Sequence, residues 1–268
     1  MGRVLGLNPG MMTGPGTNTY LVGRRDPILI DTGAGVPDYL PLLERYLAER
    51  GWTRPSRVLL THRHVDHLGG VRHLRERWPD LRVSKMRYRD TGLPEPIEDL
   101  RDGDVVEGDG VTLVAVHTPG HASDHLCYYL REARALFTGD VVLGGSTTVI
   151  PSGDGDLADY MASLRRLLEL PLERIYPAHG PVIEDGPGLV HEYIEHRLMR
   201  ERQILEALAD GLVTIPAMVK RIYADVPEKL HAMAAQSVES HLRKLERDRR
   251  VREHRERHAP SRWELLAG

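Results

Sequence analysis

The 268-residue chain has a single cysteine, Cys127, so no internal disulfide can form and a thiolate-based zinc site is excluded. It has a single phenylalanine, Phe137, and aromatic residues make up only 5% of it, leaving little material for a base-stacking platform. No run approaches the ~20 apolar residues of a membrane span. The opening Met1-Gly2-Arg3-Val4-Leu5-Gly6-Leu7-Asn8 has no apolar stretch of the kind found in a secretion signal. Together these absences lead to the expectation of a soluble, cytoplasmic protein with no membrane partner. Lysine is also scarce, with four (85, 220, 229, 244) among 36 basic residues, a bias that points to a GC-rich coding sequence. A net charge of -3 rules out a polycation, although the balance is uneven. Arg243 to Gly268 carries nine Lys/Arg against five Asp/Glu, so this end is about +4 on an acidic body. Such an end suits either a polyanion partner or a solvated helix face and tail.

What is present reads as an α/β chain followed by a helical segment. Thr19-Tyr20-Leu21-Val22, Ile28-Leu29-Ile30, Arg57-Val58-Leu59-Leu60, Val111 to Val116, Leu136-Phe137-Thr138 and Arg174-Ile175-Tyr176 are predicted strands. Tyr39 to Arg50 and Asp156 to Leu170 carry apolar residues at helical spacing. Composition changes near Gly186, which predicts a domain over 1–185 and a second over 186–268. In the second, Leu189 to about Ala209, Pro216 to Tyr223 and Leu230 to Arg247 read as helices. Leu230, Met233, Ala234, Val238, Leu242 and Leu245 form one apolar stripe. With the basic Arg249-Arg250-Val251-Arg252 after them, they suggest a small helix-turn-helix or winged-helix unit.

The chemistry is concentrated in Thr61-His62-Arg63-His64-Val65-Asp66-His67, directly after a predicted strand. Alternate residues of an extended chain share a side, so His62 and His64 can face one cation together. The turn that follows offers Asp66 and His67 to a second. Nitrogen and carboxylate donors without thiolate suit Zn²⁺, with Mn²⁺ or Fe as alternatives. Three further candidates stand at later strand ends, each beside Gly or Pro: His121 in Thr118-Pro119-Gly120-His121, Asp140 in Thr138-Gly139-Asp140, and His179 in Pro177-Ala178-His179-Gly180. Thr17, Asn18, Thr147 and Thr148 are candidates for lining the cleft, and His125 for supporting or lining it. His191 and His196 read as structural.

T-H-x-H-x-D-H-x-G-G, then T-P-G-H, then G-D, then P-x-H-G, in that order, resembles the metallo-β-lactamase superfamily over residues 1 to about 185. The resemblance implies an αββα sandwich holding two Zn²⁺ between its sheets. His62, His64 and His121 would bind the first, Asp66, His67 and His179 the second, and Asp140 would bridge them. His67 directly after Asp66 resembles the glyoxalase II and RNase Z branches, where both metal sites are complete. Arg3 to Gly10, Gly16 to Val22, Tyr176 to Pro181, Tyr193 to Arg197 and the helical tail are similar to the β-lactamase-like protein 2 family. That similarity spans essentially the whole chain and implies a winged-helix-like tail. Two departures are visible. Asp248-Arg249-Arg250 stands where the family has a Gly-containing turn, and Ala122 where a Thr often follows the histidine.

Two neighbouring cations lower the pKa of a bridging water towards ~7 and stabilise charge on a carbonyl or phosphoryl oxygen. Hydrolysis is therefore expected, with Asp66 orienting the nucleophile and taking its proton. Two substrate classes stand open. The family resemblance implies cleavage of single-stranded RNA, which the basic tail favours because phosphate attraction supplies most non-specific affinity. A thioester is the alternative, as in glyoxalase II-like and polyketide-associated thioesterases, and whole-chain similarity puts RNA slightly ahead. Secreted β-lactamase chemistry is disfavoured by the missing signal and by His67. An inserted nuclease domain is disfavoured by the short Asp140–His179 interval, and a vestigial regulator by the full donor set.

Overall fold

A computed structural model describes residues 1–87, 96–255 and 260–266. Two sheets face each other. The first has the order β1 (Gly2–Leu5), β2 (Asn18–Val22), β3 (Ile28–Ile30), β4 (Arg57–Leu59), β5 (Arg82–Lys85), β6 (Glu98–Asp99). The second comprises β7 (Val105–Gly108), β8 (Val111–His117), β9 (Leu126–Leu130), β10 (Ala135–Gly139) and β11 (Arg174–Pro177), running from β11 back to β7. Side-chain alternation sorts each strand between two cores. Tyr20, Val22, Ile28, Ile30 and Leu59 point inward to meet Leu113, Leu126, Tyr128 and Phe137 of the second sheet. Leu21, Leu29 and Val58 point outward against α1 (Tyr39–Glu49), through Leu43 and Leu47. The short helices α2 (Val65–Leu68) and α3 (Val71–Arg77) follow β4, and α3 adds Leu74 to that outer core. The second sheet turns Val116, Cys127, Tyr129 and Ile175 outward to α4 (Leu157–Leu167). The result is the αββα sandwich expected from the motifs. Helix α4 starts where Asp156 accepts hydrogen bonds from Ala158 N–H and Asp159 N–H at 2.8 and 3.0 Å.

The C-terminal part is built from α5 (Gly186–Ala209), α6 (Ile215–Ile222), α7 (His231–Arg247) and a hairpin of β12 (Val251–His254) with β13 (Arg262–Leu265). Helix α5 serves both cores. Val190 and Tyr193 pack on the second sheet's helical layer, while Ile204, Ala207 and Leu208 join α6, α7 and the hairpin. The hairpin is the wing, and it forms despite the missing glycine. Arg249 itself adopts φ +58 at the end of α7, a left-handed conformation costing a non-glycine residue about 1 kcal/mol. Arg250 N–H then returns to Leu245 O at 2.9 Å. Fully buried Trp263 repays the turn in packing, with the Arg243 guanidinium 4.9 Å from its ring centroid. Among the described residues no helix is long and apolar enough to cross a membrane.

His241 of α7 is fully buried. Burial pushes its imidazole down from 6.5 to about 4, against the hydrogen bond between its Nδ1 and Ser237 O at 2.8 Å. Between those values the unfolded chain takes up a proton that the folded chain refuses. The stabilisation is therefore complete above pH 6.5 and lost as pH falls towards 4, a change of about 3 kcal/mol. His241→Gln should flatten the dependence of the urea midpoint on pH across that window. Parallel curves for the two proteins would refute the assignment.

Candidate metal centre

Strand β4 ends against the sheet opposite, and the chain leaves it extended through His64, at φ -66 and ψ 146. His62 and His64 thereby share a side, and α2 then turns Asp66 and His67 in beside them. Asp31, at the end of β3 with φ +58, holds this segment in place. Its Oδ1 accepts Thr61 N–H at 2.8 Å, and its Oδ2 accepts Thr61 Oγ1–H at 2.9 Å and His67 Nδ1–H at 2.8 Å. The bond at Nδ1 turns His67 Nε2 towards the site. Burial opposes protonation of the ring, but Asp140 and Asp31 outweigh it and hold the imidazole well above the usual histidine range. A cation taken up at Nε2 therefore displaces a proton. Asp31 was missed as a functional residue, although Asp31-Thr32-Gly33 after a predicted strand is a legible turn.

Two donor groups result, His62, His64, His121 and Asp140 in one and Asp66, His67 and His179 in the other, each with its ligand atoms within 4.8 Å of one another. In the first, His64 Nδ1 lies 2.9 Å from His62 Nε2 and 3.0 Å from His121 Nε2. His121 donates its Nδ1 proton to Val149 O at 2.7 Å, which turns its Nε2 towards the other two imidazoles. Burial, reinforced by neighbouring imidazoles, pushes His62 and His64 below the usual histidine range. A single proton on His64 Nδ1 would have to be shared between His62 Nε2 and His121 Nε2, whereas a cation takes up all three nitrogens at once. In the second group, Asp66 Oδ2 lies 3.4 Å from His67 Nε2 and 3.3 Å from His179 Nε2. Asp140 faces both groups: its Oδ1 is 3.4 Å from His67 Nε2 and 3.2 Å from His179 Nε2, and its Oδ2 is 3.4 Å from His121 Nε2. Among the described residues, His67 Nε2 and Asp140 Oδ1 are buried with no hydrogen-bond partner. Buried polar atoms of that kind are rare unless another ligand takes them up. Burial alone would raise both site carboxyls, but the imidazoles facing them outweigh it and hold Asp66 and Asp140 ionised. The donor set therefore fits hard or borderline divalent cations.

The loop carrying His121 depends on Gly120, which sits at φ +130. A Cβ there would lie 2.4 Å from the Tyr160 backbone of α4. Gly120→Ala is expected to cost about 3 kcal/mol or more and to dislodge His121, lowering both the melting temperature and the metal bound per chain. Retention of both would show that the loop is not fixed at Gly120.

The structure brings all seven expected donors together, and it gives four of the five expected substrate contacts partners within the chain. Thr17 is fully buried, and its Oγ1–H donates to Asp66 Oδ2 at 3.2 Å. Asn18 Nδ2 donates to Pro177 O and Gly180 O at 3.0 and 2.9 Å, pinning the turn that presents His179. His125 is fully buried, accepts Asp140 N–H at 3.2 Å through Nε2 and stacks on His62. Thr148 donates to Asp140 O at 2.9 Å. These side chains hold donors and turns, since buried polar groups are taken up by partners within the chain. Thr147 alone is exposed. A second omission is the buried ion pair of Lys85 with Asp124, which joins β5 to the His121–His125 loop. No sequence signal marks it.

The tail's cations are largely engaged within the chain. Arg243 and Arg255 both reach Glu253 at 2.7 Å, and Lys244 reaches Glu201 at 2.8 Å and Asp248 at 2.7 Å. Arg247 pairs with Asp156. Arg257 lies outside the described residues.

Residues 12–179 match the Metallo-beta-lactamase superfamily, and residues 214–263 the Beta-lactamase associated winged helix domain. The chain is 41% identical over 253 residues to a beta-lactamase-like protein 2 homolog of Caenorhabditis elegans, covering 92% of this chain and 84% of that protein. It is also 41% identical over 267 residues to an atrochrysone carboxyl ACP thioesterase of Aspergillus fumigatus, covering 93% and 82%. Among solved structures it resembles TTHA1623 in a di-iron-bound form, with a TM-score of 0.56, 32% identity and coverage of 70% of this chain and 96% of that one.

Proposed function

The chain belongs to the metallo-beta-lactamase superfamily, with its associated winged-helix domain, and from that premise we propose that it is a dinuclear zinc hydrolase acting on acyl thioesters. The observation that carries hydrolysis is the pair of donor groups joined by Asp140. His62, His64, His121 and Asp140 would hold one cation, and Asp66, His67, His179 and Asp140 the other. Zn²⁺ suits these donors, as do Mn²⁺ and Fe, and TTHA1623 is described with two irons. Such cations supply Lewis acidity, acidifying water and offsetting charge on the attacked oxygen. Asp66 is the more open of the two site carboxylates, with its side chain 20% exposed against 13% for Asp140. It is ionised, steadied by Thr17 and able to take the proton of the attacking water. Asp31 and His125 keep His67 and Asp140 aimed as the proton moves.

Thioester is favoured over single-stranded RNA by two observations. The tail cations that would attract phosphates are paired with Glu201, Glu253, Asp156 and Asp248. Relatives named as ACP thioesterases match as much of the chain as the beta-lactamase-like protein 2 homolog does. The net positive tail is what speaks for RNA. The test offers zinc-loaded protein an acyl-thioester panel and labelled single-stranded RNA in parallel, each with an Asp66→Ala control. Thiol release that is lost in the variant is the expected result. Endonucleolytic fragments without thiol release would overturn it.

A further inference from the structure

A groove of about 290 Å³ runs between the two parts of the chain. One wall is the 147–150 segment, the second is His196, Arg197 and Arg200 on α5, and the third is Val226, Leu230 and Met233 beside α6 and α7. The first wall is also the back of the metal centre. Val149 O takes the His121 Nδ1 proton, and Thr148 Oγ1 donates to Asp140 O.

The second wall carries unbalanced positive charge. Three arginines of neighbouring elements are matched by acids, Arg63 with Asp154, Arg243 with Glu253 and Arg247 with Asp156. Among the described residues neither Arg197 nor Arg200 has a carboxylate within 4.0 Å. Arg197 is buried and donates to Thr148 O. Arg200 donates through one terminal nitrogen to Gln203 Oε1 at 2.8 Å and lies 4.5 Å from the Tyr223 ring centroid. Its Nε is buried with no hydrogen-bond partner among the described residues. Burial pushes His196 below its usual range, and the two guanidiniums push it further. A half-buried guanidinium with a donor to spare suits a phosphate, whose oxygens match its fork. The apolar third wall suits a neutral chain extending from that phosphate.

We propose that this groove receives the phosphate and chain of a 4′-phosphopantetheine arm, with Arg200 and His196 on the phosphate, and that it thereby selects carrier-borne thioesters. The assignment rests on the thioester reading above for its occupant, and on the unpaired guanidiniums for its charge. Coenzyme A and acyl carrier proteins share this arm.

The experiment has two readouts on zinc-loaded, full-length protein. The first is the ratio of kcat/KM for S-acyl-4′-phosphopantetheine to that for S-acyl-pantetheine, which lacks the phosphate. A charge-assisted phosphate contact predicts a ratio of about 10 in the native protein. The ratio should fall towards 1 in Arg200→Gln and recover in part in Arg200→Lys. The second is calorimetric binding of free 4′-phosphopantetheine, expected to weaken about tenfold in Arg200→Gln, with circular dichroism confirming that the variant is folded. Thioester hydrolysis with a native ratio near 1 and no effect of Arg200→Gln overturns the groove assignment while the thioester reading stands. Arg200-dependent binding without hydrolysis of any thioester leaves the groove standing and removes the thioester reading. Loss of both removes both. Acyl-coenzyme A and acyl-carrier protein substrates, compared in the same variants, identify which bears the arm.

Discussion

Asp140→Asn protein is expected to hydrolyse its substrate on the order of 10³-fold more slowly than the native chain, because several kcal/mol of metal-supplied stabilisation corresponds to that factor. Asp140 is the donor that faces both groups, with Oδ1 towards His67 and His179 and Oδ2 towards His121. Asparagine preserves the shape but removes the negative charge and turns one oxygen into a donor that cannot ligate. The imidazoles facing it would lose their shared counter-charge in a buried site, where such charge matters most. Metal content measured beside the rate separates the causes. The expected protein carries less than its full metal complement, and added Zn²⁺ restores the rate only in part. An Asp140→Asn protein with full metal content and native rate would show that the two groups do not act as one centre.

The second large effect concerns stability. Lys85 and Asp124 are both nearly or fully buried, and they pair with each other across the junction of β5 and the His121–His125 loop. Lys85 Nζ also donates to Met86 O at 2.9 Å, while Asp124 Oδ1 has no hydrogen-bond partner among the described residues. Lys85→Met would leave a buried carboxylate uncompensated, at about 3–5 kcal/mol. That is a large share of the 5–15 kcal/mol that typically holds a native fold. A steep drop in the urea midpoint is therefore expected, together with weaker zinc retention, since Asp124 lies between His121 and His125. Adding Asp124→Leu to Lys85→Met should recover most of the stability, because a matched apolar pair in place of a buried ion pair is often neutral. A single Lys85→Met variant within about 1 kcal/mol of native would show that water or rearrangement compensates the charge.

Much of the centre was legible in the sequence because its donors sit in short-range patterns. His62, His64, Asp66 and His67 fall within one turn after a strand, and Gly120, Gly139 and Gly180 mark the sharp turns beside the other three. Strands β2, β3, β4, β8, β10 and β11 were legible as apolar β-rich runs and the C-terminal helices as a stripe at helical spacing, while β1, β5, β6, β7 and β9 were not predicted. The wing was harder, because Arg249 takes a conformation for which the sequence shows no glycine.

By itself the sequence determined the α/β class, the helical C-terminal segment and the seven candidate donors, since each follows from local periodicity or from residues a few positions apart. Only the tertiary structure decided what the polar neighbours of those donors do. Thr17, Asn18, His125 and Thr148 could equally have faced the cleft, and packing turns them onto Asp66, the 177–180 turn and Asp140 instead. It also decided the meaning of the charge. The excess from Arg243 onward looks free in a linear count, yet Arg247 finds its acid 91 residues away. Arg197 and Arg200, ordinary in the sequence, line the groove with no carboxylate within 4.0 Å among the described residues. Ion pairing depends on distances of a few ångströms in space, and linear order does not encode them.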